Sequence, residues 1–127
     1  MTFVTFAAIA AALLLLPRVG AFREPAAAKP REIRIVAKDM TFYVDGEKTP
    51  NPTLRLKAGE RVRVVLRNED PGMTHDFAIK SLDVATKTLT AKGAEDSVDF
   101  RVPKRRGMLP YQCTPHAQMM NGTITIE

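Results

Sequence analysis

Apolar and polar residues alternate with a period of two through nearly the whole chain after residue 31, and that period constrains the fold more than any other feature. Ile33, Ile35 and Ala37 fall on one side of a strand, with Arg34 and Lys38 among their polar neighbours. Leu54 and Leu56 alternate with Arg55 and Lys57, and Val62, Val64 and Leu66 alternate with Arg61, Arg63 and Arg67. Phe77 and Ile79 follow His75; Val98, Phe100 and Val102 alternate with Asp99 and Arg101; Ile124 and Ile126 close the chain. Each run fits a half-buried strand with one face to a core and one to water. Turn signals separate the runs at Asp45-Gly46, Ala58-Gly59, Asp70-Pro71-Gly72, Lys92-Gly93 and Asn121-Gly122. No segment after Pro17 sustains a helical period over three turns, so no helices are available to cover a parallel sheet. The expected fold class is all-β, a mostly antiparallel sandwich or barrel.

The first sixteen residues carry no charge, with two threonines as their only polar side chains. Such a run is short for a membrane span of about 20 residues and suits the apolar core of a secretory signal. Pro17 ends it, and Val19-Gly20-Ala21 offers small residues for cleavage. Residues 1–21 are therefore expected to be a signal peptide or an N-terminal anchor. Residues 22–31, with Glu24 to Pro30 rich in Ala and Pro, are expected to be a linker, and 32–127 the folded domain. Either form of the leader places that domain outside the cytoplasm, in the periplasm or an equivalent compartment. Any membrane contact is expected through an uncleaved N-terminus only.

The 127 residues contain two histidines, His75 and His116, and one cysteine, Cys113. An intrachain disulfide is impossible, and so is a multinuclear histidine-rich metal centre. A dinuclear copper site with two cysteines is also excluded. Aromatic residues make up only 6%, with no Trp, which provides poorly for stacking on single-stranded nucleic acid. An exported chain with an unpaired cysteine calls for another use of the thiol. Cys113, His116 and Met119 follow one another at spacings of three, in a segment where a tight loop between strands can bring side chains to one point. His75 lies 38 residues upstream. Two imidazoles and one thiolate, with a weak thioether above them, suit copper cycling between two oxidation states. Zinc would use Cys and His but would not favour Met.

In Tyr111, Cys113-Thr114-Pro115-His116 and Met119, with His75 upstream, the chain resembles the small blue-copper proteins of the cupredoxin family, of the amicyanin and plastocyanin kind. The resemblance implies a Greek-key β-sandwich of about eight strands holding one type 1 copper ion. Its function would be one-electron transfer between exported or membrane-bound redox partners, without enzymatic turnover. It implies His75, Cys113 and His116 as equatorial ligands and Met119 as the axial one. Strand alternation sends Met119 and Met120 opposite ways, so only one of them faces the metal. Asp76 and Thr114 each follow a ligand, and a carboxylate-to-hydroxyl hydrogen bond between them would pin the two loops together. Pro115 has no N–H to donate to the Cys113 sulfur, which would favour Cu(II) and lower the potential. His116 is expected to be the least buried ligand and the exit for electrons, ringed by Pro71, Met73, Pro110, Pro115 and Ala117. Arg101, Lys104, Arg105 and Arg106 precede the ligand loop and suggest an acidic redox partner steered by charge. A monomer is expected, and nucleic acid is not. A copper carrier or resistance protein on the same fold is the alternative use of these ligands.

Overall fold

The computed structural model describes residues 27–127, so the expected signal or anchor and the first half of the linker lie outside the described residues. Nine strands form two sheets: β1 (Arg31–Lys38), β2 (Thr41–Val44), β3 (Leu54–Leu56), β4 (Arg61–Asn68), β5 (Ala78–Ile79), β6 (Val84–Ala85), β7 (Glu95–Arg101), β8 (Gly107–Gln112) and β9 (Asn121–Ile126). One sheet has the order β2-β1-β4-β7 and the other β3-β9-β8-β5-β6. Only β1 with β4 and β3 with β9 pair in parallel; the remaining pairs are antiparallel. The extra strand relative to the expected eight comes from the short β5–β6 ribbon, paired at Ala78↔Ala85 and Ile79↔Val84.

The period-two pattern is what seals the sandwich. Ile33, Ile35 and Ala37 from β1 and Val62, Val64 and Leu66 from β4 are buried, as are Leu54, Leu56, Ile124 and Ile126 from the facing sheet. Parallel register places Ile33 beside Val64 and Ile35 beside Leu66, so both strands present their apolar sets to the same side. Phe42, Phe77 and Tyr111 fill the middle of the core, with the Phe77 and Tyr111 rings stacked at 5.2 Å. The Tyr111 hydroxyl donates to the Pro52 carbonyl at 2.5 Å, which satisfies the one polar atom of a wholly buried ring.

Four of the five expected glycine turns are turns; the fifth is not. Asn121-Gly122 opens β9, and Gly122 pairs with Tyr111 across the ladder. A Cβ at Gly122 would collide with the Tyr111 ring. This glycine leaves room for the core aromatic instead of reversing the chain. The turn between β1 and β2 has no glycine at all, yet Asp39 and Met40 both have positive φ, 50° and 55°. Non-glycine residues adopt that conformation only when their surroundings impose it. What holds it is the Asp70 carboxylate, which accepts from the Asp39 N–H at 2.7 Å and the Met40 N–H at 3.0 Å.

The Gly122 contact makes a direct prediction. Gly122→Ala should lower stability in urea unfolding by about 1–3 kcal/mol, the usual cost of overpacking a core. Gly46→Ala, where nothing lies within 4 Å of the added carbon, carries only the penalty of its positive φ.

Candidate metal centre

Two loops meet at one end of the sandwich. The first follows β4 and delivers His75. Asn68, fully buried, accepts from the Asp70 N–H at 2.9 Å and donates to the Met73 carbonyl at 3.0 Å, shaping the approach. His75 then exchanges main-chain hydrogen bonds with Leu89, at 2.9 and 2.7 Å. Its ring is wholly buried, and its Nε2 is bonded to Asp70 Oδ2 at 2.9 Å. The same carboxylate that holds the Asp39-Met40 turn thus holds the imidazole, and leaves Nδ1 free to face Cys113.

Burial opposes the charge on Asp70, but the Met40 and Asp39 amides and His75 outweigh it and hold its carboxyl below the ordinary value. An imidazole oriented through its second nitrogen by a carboxylate is a common support for a metal ligand. Nothing in the periodicity marked Asp70 for this role; it was legible only as part of a turn.

The second loop joins β8 to β9. Cys113 follows β8 in an extended conformation, and Thr114–His116 form a single 3-10 turn with Pro115 at its start, where the fixed φ fits. The His116 carbonyl accepts from Met119 N–H at 3.0 Å and Met120 N–H at 2.9 Å, and Cys113 N–H donates to the Met120 carbonyl at 2.9 Å. This folding back brings Cys113 and His116 together. Cys113 Sγ lies 3.7 Å from His75 Nδ1 and 3.6 Å from His116 Nδ1. All three donor atoms lie within 4.8 Å of one another. A metal ion about 2.0 Å from nitrogen and 2.3 Å from sulfur, in a trigonal plane, sets those atoms roughly 3.8 Å apart. The donors fit a single ion with little rearrangement, and two imidazoles with a thiolate are a copper donor set.

The thioether is placed differently from the expectation. Met119 is 58% exposed, whereas Met120 is wholly buried with Cys113 in the core. The reason is register. Gln112 pairs with Asn121, and the next step of the ladder sets Cys113 opposite Met120, as their hydrogen bond shows. Residues directly opposite on a ladder point to the same face, so Met120 shares the face of the thiol and Met119 turns to solvent. Asn51 fixes this choice by donating to the Met119 carbonyl at 3.0 Å while accepting from the Phe42 N–H at 3.1 Å.

The expected link between the loops exists, with a different donor. Asp76 Oδ1 accepts from the Thr114 backbone N–H at 2.6 Å, and the exposed Thr114 hydroxyl takes no part. Burial pushes the Cys113 thiol up, and the Asp76 and His116 backbone N–H groups partly offset that. His75 and Cys113 are wholly buried and His116 is half-buried, so His116 is the most accessible of the three. Exposed Thr114, Pro115, Gln118 and Met119 and half-buried Ala117 line a shallow hollow with His116, an uncharged collar; of the residues expected there, Pro71 and Pro110 are exposed and Met73 is half-buried.

The basic residues expected beside the site are elsewhere. Lys104, Arg105 and Arg106 lie before Gly107 at the start of β8, and Cys113 follows its end. Six residues of strand separate the two by about 20 Å.

Removing the Asp76 carboxylate should cost about 10–100-fold in copper affinity, the usual range for a support of this kind. Thr114→Ala should leave the affinity unchanged, because its N–H remains. Competition titration against a chelator reads both; equal losses would restore the hydroxyl to the link.

With fold and donors in place, comparison with known proteins is informative. The cupredoxin-like domain family matches residues 5–126. No curated protein matches the sequence. Among solved structures, auracyanin B superposes with a TM-score of 0.60 at 23% identity, covering 80% of this chain and 93% of its own. Auracyanin A, a "blue" copper protein from the green thermophilic photosynthetic bacterium Chloroflexus aurantiacus, gives 0.57 at 16% identity, covering 78% and 100%. Rusticyanin from Thiobacillus ferrooxidans gives 0.57 at 22% identity, covering 79% of each chain. At these identities the superpositions speak for the fold. The family match, spanning almost the entire sequence, makes this chain a member of the cupredoxin-like domain family.

Proposed function

We propose that the protein is a one-electron carrier working outside the cytoplasm, with His75, Cys113, His116 and Met120 as the ligands of a single copper ion. The observation that carries this reading is the convergence of a buried thiol and two imidazole Nδ1 atoms, 3.7 and 3.6 Å from the sulfur, in a chain with no other Cys or His. Auracyanin A, a "blue" copper protein that shares the fold, supports the choice of metal. Copper there supplies a reversible one-electron couple between Cu(II) and Cu(I).

The residues around it are arranged for that task. Asp70 keeps the His75 ring from turning, and Asp76 keeps the Cys113–His116 loop against the His75 loop. With His75 and Cys113 shut away from water, His116 is the ligand nearest solvent, and we assign it as the route for electrons. The uncharged collar lets a redox partner approach that ring closely and exclude water. Among the described residues, the buried acids beside the donors, Asp70 and Asp76, are both taken up by hydrogen bonds, which supports transport of electrons over hydrolytic chemistry.

Two experiments check the reading. Cys113→Ala should abolish the intense visible absorption that Cu(II) produces with a thiolate; retention of the band would sink the site. Met120→Leu should keep copper and colour but raise the reduction potential, because a donor to Cu(II) is lost, while Met119→Leu changes neither. The reverse pattern would return the axial role to Met119. For the exit route, Ala117→Glu should slow electron exchange with the partner at least several-fold with spectrum and potential nearly constant. Stopped-flow mixing measures the rate, and an unaltered rate would place the exit on another face.

A further inference from the structure

The end of the sandwich opposite the ligand loops concentrates positive charge. Lys57, Arg61, Arg101, Lys104, Arg105 and Arg106 come together there from the β3–β4 turn and the β7–β8 turn. The nearby acids are already engaged: Glu60 with Arg31 at 3.3 Å, Glu127 with Arg55 at 2.5 Å, and Asp99 with Arg63 at 2.6 Å. Among the described residues, Lys104, Arg105 and Arg106 form no ion pair. Next to them stands Met108, 73% exposed, the most exposed large apolar side chain of the described residues. A shallow depression lined by Arg105, Arg106, Met108 and Leu109 joins the two features. The chain also enters the fold here. Arg31 pairs with Val62 at the start of β1 and β4, and Ala27, Ala28 and Lys29 lie along Arg61 and Arg101. The uncharged run of residues 1–16 precedes this same end.

We propose that this basic tip is a docking surface for an anionic phospholipid bilayer. Cations that meet headgroup phosphates around one protruding apolar side chain fit the boundary between headgroups and acyl chains. The tip is separated from the metal loops by the length of β8, about 20 Å, so lipid held there leaves His116 facing away from the membrane and open to a partner. An acidic protein docked at the tip would sit too far from His116 to exchange electrons through it, which is why the tip is assigned to lipid.

The test is co-sedimentation of the full chain with phosphatidylcholine vesicles and with vesicles that also contain phosphatidylglycerol. The apolar N-terminal run contributes to both, so the tip is read from the difference. The full chain should bind the anionic vesicles more tightly, and added salt should erase the difference. K104Q/R105Q/R106Q should lose on the order of a hundredfold of binding to anionic vesicles, given the contribution of each cation near a charged surface. Met108→Ser should weaken binding to both vesicle types. A control with the same change in net charge at the other end, K38Q/K87Q/K92Q, should keep its binding. Circular dichroism establishes that the variants are folded. Equal binding to both vesicle types, undiminished binding by the tip variant, or an equal loss in the control overturns the proposal. The first two results leave an acidic protein as the occupant of the tip.

Discussion

One carboxylate holds the ligand end of this molecule together. Asp70 accepts hydrogen bonds from Asp39, Met40 and His75, and its own N–H is bonded to Asn68. A buried ionised carboxylate without partners would cost far more than any single contact returns. With three donors it becomes the point where the β1–β2 turn, the end of β4 and the histidine loop are joined. The left-handed conformations of Asp39 and Met40 persist because this acceptor requires their amides to point inward. The ring of His75 is therefore aimed by the protein itself, and the two strands that begin the fold are tied to the ligand that completes the site.

The strands were legible because burial on one face and water on the other leaves an unambiguous mark, as in Val62, Val64 and Leu66. The ligand loop was legible for a chemical reason: with one thiol and two imidazoles in the chain, there was little choice of donors. What escaped the sequence depended on register or on the main chain. Met119 and Met120 differ by one residue, and a one-residue step reverses the face of a strand; only the pairing of Cys113 with Met120 decides between them. The link from Asp76 runs to a backbone N–H, a group every residue except proline possesses, so no side chain at Thr114 could announce it. Gly122 looked like a turn because glycine next to asparagine usually is one, while its actual partner, Tyr111, lies eleven positions away. Asp70 and Asn51 act across distances of 31 and 68 residues, and neither belongs to a motif.

The two ends of the sandwich have opposite characters, and β8 joins them. Its first residues follow a run of cations and its last leads into the thiol. Neighbours in sequence are thus placed at opposite poles, because an extended strand converts each residue into a little over 3 Å of length. Charge that seemed to belong to the ligand loop belongs to the other face of the molecule.

From Gly107 to Ile126 the chain has no Asp, Glu, Lys or Arg, and this stretch contains the whole second ligand loop. Two copies of the protein, each with a formal net charge of +5, would normally repel on approach. Here they can meet through their His116 faces with the lysines and arginines of the tips held at the far ends, beyond a screening length of about 8 Å at physiological salt. In the electron carrier proposed above, exchange between an oxidised and a reduced copy through these faces would feel the tip cations only weakly, and its remaining dependence on ionic strength would come from Lys38, Lys87 and Lys92 at the ligand end.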